Sequence, residues 1–251
     1  FKYVYQNIKK DVHLSSISGG TDIVSCFVLG NIYQPVYMGE IQNKGLALNV
    51  DILNDKGKSI KNSKGELVCK NPFPTMPLKF WNDKNDNKFK DAYFNRFPNT
   101  WHHGDFAEIK TTRGFVIHGR SDTTLNPGGV RLGTAEIYSE VEKFKEIKES
   151  IVVGQSWDND IRIVLFIVMN TKFFLTEDLL KKIKAQVRKN ASPRHVPSKV
   201  IVVKDIPRTK SGKIVELAVK NTIEGNNIKN KEALANPKAL EQFKGLKELS
   251  I

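Results

Sequence analysis

The nine residues IRIVLFIVM, 161–169, constrain this chain more than any other stretch. A run this apolar has to leave water, yet it is far shorter than the roughly 18 to 20 residues a bilayer crossing needs, and Arg162 interrupts it. It suits a buried strand. With 251 residues and 39% hydrophobic content, the chain has ample material for one large or two smaller cores. A soluble globular protein is expected.

The texture changes once along the chain. Residues 21–120 read as mostly β. LALNVDIL (46–53) alternates in part, with Leu48, Val50 and Ile52 on one face, and then turns at NDKG (54–57). GELVCK (65–70) is a further strand, and FAEI and GFVIHG form a hairpin around TTRG (111–114). After residue 122, GTAEIYSEVEKFKEI (133–147) places Ile137, Val141 and Phe144 at helical spacing. Strands at 150–157 and 161–169 follow, then a helix opened by Thr176, the strand KVIVVKDI (199–206) and a last helix from about residue 213. The boundary falls near GRSDTTLNPGG (119–129), where Gly, Pro, Ser and Asp cluster. The tail from Asn221 is polar enough to be a partly ordered appendage.

Two cysteines, Cys26 and Cys69, cannot build a disulfide framework or a Cys-rich zinc site, and this agrees with a reducing, cytoplasmic setting. The chain starts at Phe1, and its first twenty residues lack the features of a signal peptide, so the sequence is expected to begin partway through a longer protein. Its formal charge is +13. Residues 181–220 hold twelve Lys and Arg against Asp205 and Glu216, a net of +10, which implies an anionic partner. Charge alone admits nucleic acid, a membrane surface or a phosphorylated small molecule. Aromatics are nearly absent from the basic stretch and no recognition helix or zinc finger is visible, which weakens nucleic acid.

Four short segments carry the chemistry: SISGGTDI (16–23), WHHGDF (101–106), GRSDTTLNPGGVRLGTAEI (119–137) and PRTKSGKI (207–214). Each alone reads as a turn, a strand end, a linker or a solvated basic loop. Together and in this order they resemble the adenylate-forming acyl-CoA synthetases, and within that superfamily the group that activates acetoacetate. The resemblance covers essentially the whole chain but only the C-terminal part of such an enzyme.

What the resemblance implies is an α+β fold. Residues 1–121 would be the end of a large N-terminal domain, mostly β with a barrel-like subdomain. Residues 122–251 would be a small mobile lid domain with a polar tail. The implied activity is ATP-dependent conversion of acetoacetate to its acyl adenylate and transfer to coenzyme A, with Mg2+ as the metal and no nucleic-acid or membrane partner. The missing N-terminal part of the same enzyme, with its phosphate loop, would be required, and the piece alone would be inactive. A related acetyl- or butyryl-CoA synthetase and a basic nucleic-acid-binding protein remain as alternatives.

Residue by residue, the resemblance puts Asp105 and Arg120 on the ribose, Arg131 and Thr21 near phosphate and Lys213 at the carboxylate being activated, on a flexible Ser-Gly loop. Asp122 would be the hinge, Gly128 and Gly129 would line the passage of the pantetheine arm, and Arg188 would approach a phosphate of coenzyme A. Asp22 stands where the family has a magnesium-binding Glu, with a shorter arm. Gly19 replaces a pocket-closing Trp of acetyl-CoA synthetases, which opens the acyl pocket to a larger acid. His102 and His103 are adjacent in a strand, so they point to opposite sides, and structural roles are expected for both.

Overall fold

A computed structural model describes residues 1–228 and 231–250. It divides into two compact units, Phe1–Ser121 and Asp122–Ile251.

The first unit contains helix α1 (Lys2–Asn7), strands β1 (Ser18–Gly20), β2 (Ser25–Leu29), β3 (Asn43–Lys44), β4 (Val50–Leu53) and β5 (Gly65–Cys69), helix α2 (Asn87–Tyr93), and strands β6 (Trp101–Ile109) and β7 (Phe115–Arg120). Strand β4 is shorter than the alternation at 46–53 suggests, because Ala47 takes a left-handed φ of 61° in a turn closed by Leu48 N–H on the Gly45 carbonyl. The NDKG turn forms as read, with Asn54 Oδ1 accepting the N–H groups of Lys56 and Lys58. In the β6–β7 hairpin, Arg113 supplies the left-handed residue. The core is aromatic: Trp101 is buried against Phe27, Phe73 and Phe89 and stacks on Tyr93 with ring centroids 3.7 Å apart.

The barrel-like closure expected of this half is absent among the described residues. Two open sheets stand in its place, in the orders β1-β2-β3 and β4-β5-β6-β7. Ile41, just before β3, makes an isolated antiparallel bridge to Phe115 of β7. A three-residue β1 and a two-residue β3 offer too few rungs to carry a hydrogen-bonded ladder around a closed wall.

The second unit contains α3 (Thr134–Val141), β8 (Ile147–Trp157), β9 (Asp160–Met169), α4 (Glu177–Asn190), β10 (Lys199–Val202) and α5 (Glu216–Ile223). Strands β8 and β9 are an antiparallel hairpin whose turn residues Asp158 and Asn159 have φ of 50° and 57°, the mirror-image turn that suits strand twist. Strand β10 pairs parallel to β9 after the α4 crossover. Helix α4 is capped as read, Thr176 Oγ1 accepting Leu179 N–H at 3.2 Å. Helix α3 stops well short of residue 147: turns at Phe144 and Ile147 swing the chain so that Ile147 already pairs with Met169.

The apolar run at 161–169 is buried on both faces. Ile163, Leu165 and Ile167 pack into a core shared with α3 and α4, while Val164, Phe166 and Val168 pack into another shared with α5 and the C-terminal segment. The tail is therefore no appendage. Leu234, Leu240, Phe243 and Leu249 are buried in that second core, and large side chains removed from water in this way contribute about 1.5 to 3 kcal/mol each. Arg162, which breaks the apolar run, lies over the Trp157 ring at 3.7 Å and donates to Gln155 Oε1 and to the Leu249 carbonyl. No helix among the described residues is long and apolar enough to cross a membrane.

Candidate active site

In the first unit the structure gathers several of the residues singled out in sequence. Asp105 on β6 lies directly across from Arg120 at the end of β7. Arg120 Nη1 donates to the His103 carbonyl at 3.0 Å and stands 3.4 Å from Asp105 Oδ1. Gly104 makes this approach possible. It has a φ of +82°, and a Cβ there would lie 2.6 Å from Arg120 Nη2.

His103 belongs to the same cluster. The Trp101 indole N–H, which can only donate, lies 3.3 Å from His103 Nδ1, and His103 Nε2 lies 3.8 Å from Asp105 Oδ2. His102 points the other way, to Glu66 Oε2 at 2.8 Å.

Thr21 and Asp22 are exposed in the turn after β1, and Asp22 reaches toward the cluster: a Cβ on Gly20 would meet both Asp22 Oδ1 and His103 Cε1. The Tyr93 hydroxyl donates to Asp22 Oδ2. Burial first, then the bond to Asp22, pushes the Tyr93 hydroxyl far above its ordinary pKa and keeps it a donor. Tyr93 was invisible in the sequence, because 71 residues separate it from Asp22. No group of three His, Cys, Asp or Glu able to hold a metal occurs among the described residues. Asp22 thus offers a single carboxylate, which fits a magnesium ion carried in by a nucleotide and no all-protein site.

Gly19 lies in β1 against β2. Its position pairs with Cys26 in β2, and a Cβ would fall 2.2 Å from the Ser25 carbonyl oxygen. Glycine is required there by the neighbouring backbone.

In the second unit, Lys213 is exposed where it closes a turn with Thr209. Thr209 N–H donates to the Lys213 carbonyl at 2.8 Å, Lys213 N–H donates to Thr209 Oγ1 at 3.1 Å, and Gly212 takes the left-handed φ of 84° that the reversal needs. Arg208 fastens the turn by donating to the Gly212 carbonyl at 2.9 Å while pairing with Glu149 at 3.1 Å. The Ser-Gly approach is a hydrogen-bonded structure. The tail supports it: Asn236 Oδ1 accepts Arg208 N–H at 2.8 Å, its Nδ2 donates to the Ile206 carbonyl at 2.9 Å, and Lys210 N–H donates to the Ala233 carbonyl at 3.1 Å. Sequence reading missed Asn236, since only the fold carries the tail back to the loop.

Gly128 and Gly129 have φ of 58° and 74° and open space where a Cβ would be. Asp160 holds this loop with both carboxylate oxygens 2.9 Å from Gly128 N, and accepting backbone N–H bonds keeps its pKa below the usual range. Arg131 Nη2 lies 3.5 Å from Thr124 Oγ1, beside the bridge that joins Leu125 to Leu132. Asp122 is exposed at the start of the unit, near Glu216. Arg188 is exposed in the last turn of α4.

Residues 136–213 match the family described as AMP-binding enzyme C-terminal domain. The chain is 60% identical over 249 residues to the acetoacetyl-coenzyme A synthetase of Rhizobium meliloti (strain 1021), covering 99% of this chain and 38% of that protein. It is 45% identical over 251 residues to the acetoacetyl-CoA synthetase of Mus musculus, covering 99% of this chain and 37% of that protein. The solved acetoacetyl-CoA synthetase from Streptomyces lividans superposes with a TM-score of 0.87 at 38% identity, over 94% of this chain and 36% of that structure. The chain spans a little over a third of the length of the curated relatives it matches. Residues 136–213 are thus similar to an AMP-binding enzyme C-terminal domain, and along nearly its whole length the chain is similar to the acetoacetyl-CoA synthetases.

Proposed function

We propose that this chain is the C-terminal part of an AMP-forming acetoacetate–CoA ligase, a cytoplasmic enzyme. The observation that carries the reading is the 60% identity, over 99% of the chain, to a protein named acetoacetyl-coenzyme A synthetase. Residues 1–121 complete the adenylate-forming domain and residues 122–251 are its lid. The substrates are acetoacetate, ATP and coenzyme A, and the partner is the preceding part of the same enzyme. The basic charge serves phosphate-bearing small molecules, with no nucleic acid and no membrane involved.

Asp105 accepts ribose hydroxyls, and Arg120, held beside it, donates to the same sugar. A carboxylate facing hydroxyls and a guanidinium that is always charged suit a nucleotide whose phosphates leave toward Thr21 and Arg131. Asp22 is the residue of this chain that would hold a Mg2+ ion arriving with ATP, and such an ion would supply neutralisation of phosphate charge. Lys213 places a cation where negative charge gathers as the acetoacetate carboxylate attacks the α-phosphorus and pyrophosphate departs. A charged donor so placed typically contributes about 3 kcal/mol. Asp122 then swivels the lid, Gly128 and Gly129 let the pantetheine arm pass close to the backbone, and Arg188 meets a coenzyme A phosphate.

The test uses the full-length protein. Lys213→Ala should abolish most acetoacetate-dependent ATP–pyrophosphate exchange while sparing the conversion of supplied acetoacetyl adenylate and coenzyme A to thioester. Equal loss in both half-reactions would remove Lys213 from the role, and a preference for acetate or butyrate over acetoacetate would move the reading to a related short-chain ligase.

A further inference from the structure

Ser121 and Thr123 flank Asp122, and each is tied by its hydroxyl to a carboxylate of its own unit. In the first unit Ser121 Oγ donates to Glu66 Oε2. Glu66 is fully buried on β5, with Arg96 Nη1 at 2.8 Å from one carboxylate oxygen and His102 Nε2 at 2.8 Å from the other. In the second unit Glu216, the first residue of α5, accepts hydrogen bonds from Tyr138, Thr134 and Thr123. The Tyr138 hydroxyl donates to Glu216 Oε1 at 2.8 Å and accepts Val152 N–H at 3.0 Å, which anchors the group to β8.

A carboxylate withdrawn from water is retained only where donors surround it, and those donors come from separate elements of the fold. Arg96, His102 and β5 over-determine the place of Glu66, while α3, α5 and β8 over-determine that of Glu216. Neither carboxylate can drift with a moving backbone. A hydroxyl bonded to it is held, and so is the residue that bears the hydroxyl.

We propose that Glu66 and Glu216 are positioning residues that fasten Ser121 to one unit and Thr123 to the other, confining reorientation of the lid to the backbone torsions of Asp122. This rests on the reading of Asp122 as the hinge. With both flanks fixed, the swivel has two torsions and a small set of end states. Without one of them it spreads over neighbouring residues and loses definition.

The experiment is backbone 15N relaxation on the 251-residue chain, wild type against Ser121→Ala and Thr123→Val. Wild-type order parameters at residues 121 and 123 should be near those of rigid backbone, about 0.85, and each substitution should drop its own side below about 0.6 while β6 and β9 stay rigid. Glu216→Ala should reproduce the Thr123→Val result, whereas Glu216→Gln, which keeps an acceptor oxygen, should retain order at 123. Low wild-type order at both flanks, or variants indistinguishable from wild type, would overturn the proposal. So would a loss of order spread equally through β6 and β9.

The full-length protein supplies the second arm. Thr123→Val should slow thioester formation about tenfold relative to adenylation, the scale of one lost hydrogen bond to a charged group. Should the order parameters fall as expected while both half-reactions are untouched, the clamps stand and the hinge reading of Asp122 fails.

Discussion

Thr209 and Lys213 close the lysine turn on each other: Thr209 N–H donates to the Lys213 carbonyl at 2.8 Å, and Lys213 N–H returns to Thr209 Oγ1 at 3.1 Å. The second bond disappears in Thr209→Val, which keeps the shape and removes the acceptor. A small misplacement of a reacting group can cost about a hundredfold in rate, so adenylation by the full-length variant should fall by about ten- to a hundredfold. Thioester formation from supplied adenylate should be unchanged. Parallel measurement of the two half-reactions checks this.

Gly104 yields a second expectation. Its φ of +82° disfavours any other residue, and an added methyl would press on Arg120 2.6 Å away. Gly104→Ala should therefore cost about 1 to 3 kcal/mol of stability and displace Arg120 from Asp105. Urea unfolding reads the first effect. A raised KM for ATP in the full-length protein, with the coenzyme A KM unaffected, reads the second.

Asn236 is the tail's main grip on the lysine loop. Asn236→Ala leaves Arg208 N–H and the Ile206 carbonyl without their partner, a loss of about 1 to 3 kcal/mol. Asn236→Asp should not rescue it: the acceptor for Arg208 N–H survives, but a carboxylate would replace the Nδ2 that donates to Asp205 Oδ2 at 2.7 Å, setting two charges of like sign together. Denaturant midpoints of the three proteins rank the effects.

Burial, with the nearby Asp122 charge, raises the Glu216 carboxyl above its ordinary pKa. The folded chain then holds this proton more tightly than the unfolded one. Stability linked to Glu216 is greatest below the unfolded carboxylate pKa and is lost as pH rises through the raised folded value. Glu216→Gln removes the titration, so the variant's Tm should exceed wild type near neutrality and the difference should vanish at acid pH. A constant difference across the range would contradict the assignment.

Much of this molecule is legible in one dimension because the signals are local. Thr176 before an acidic first turn announces α4, Asn54 to Gly57 announce a turn, and a long apolar run announces a buried strand. The four motif segments carry the family resemblance in their residue types and order, which need no fold to be matched. Other assignments needed the fold. At Gly19 the structure places the carbonyl oxygen of Ser25 2.2 Å from where a Cβ would be, a steric demand set by the neighbouring strand and silent in the sequence.

By itself the sequence determined that residues 161–169 must be buried and that the texture changes near residue 122. Those conclusions depend on hydrophobicity, periodicity and residue chemistry, which each position carries with it. Only the tertiary structure decided what covers the second face of β9, what holds the lysine turn and what fastens Ser121 and Thr123. The covering residues Leu240 and Phe243, the grip of Asn236 on Arg208 and the donors around Glu66 and Glu216 lie far away in sequence. Each pairing is settled by packing and by the need of withdrawn polar groups for partners, and neither requirement has a local signature.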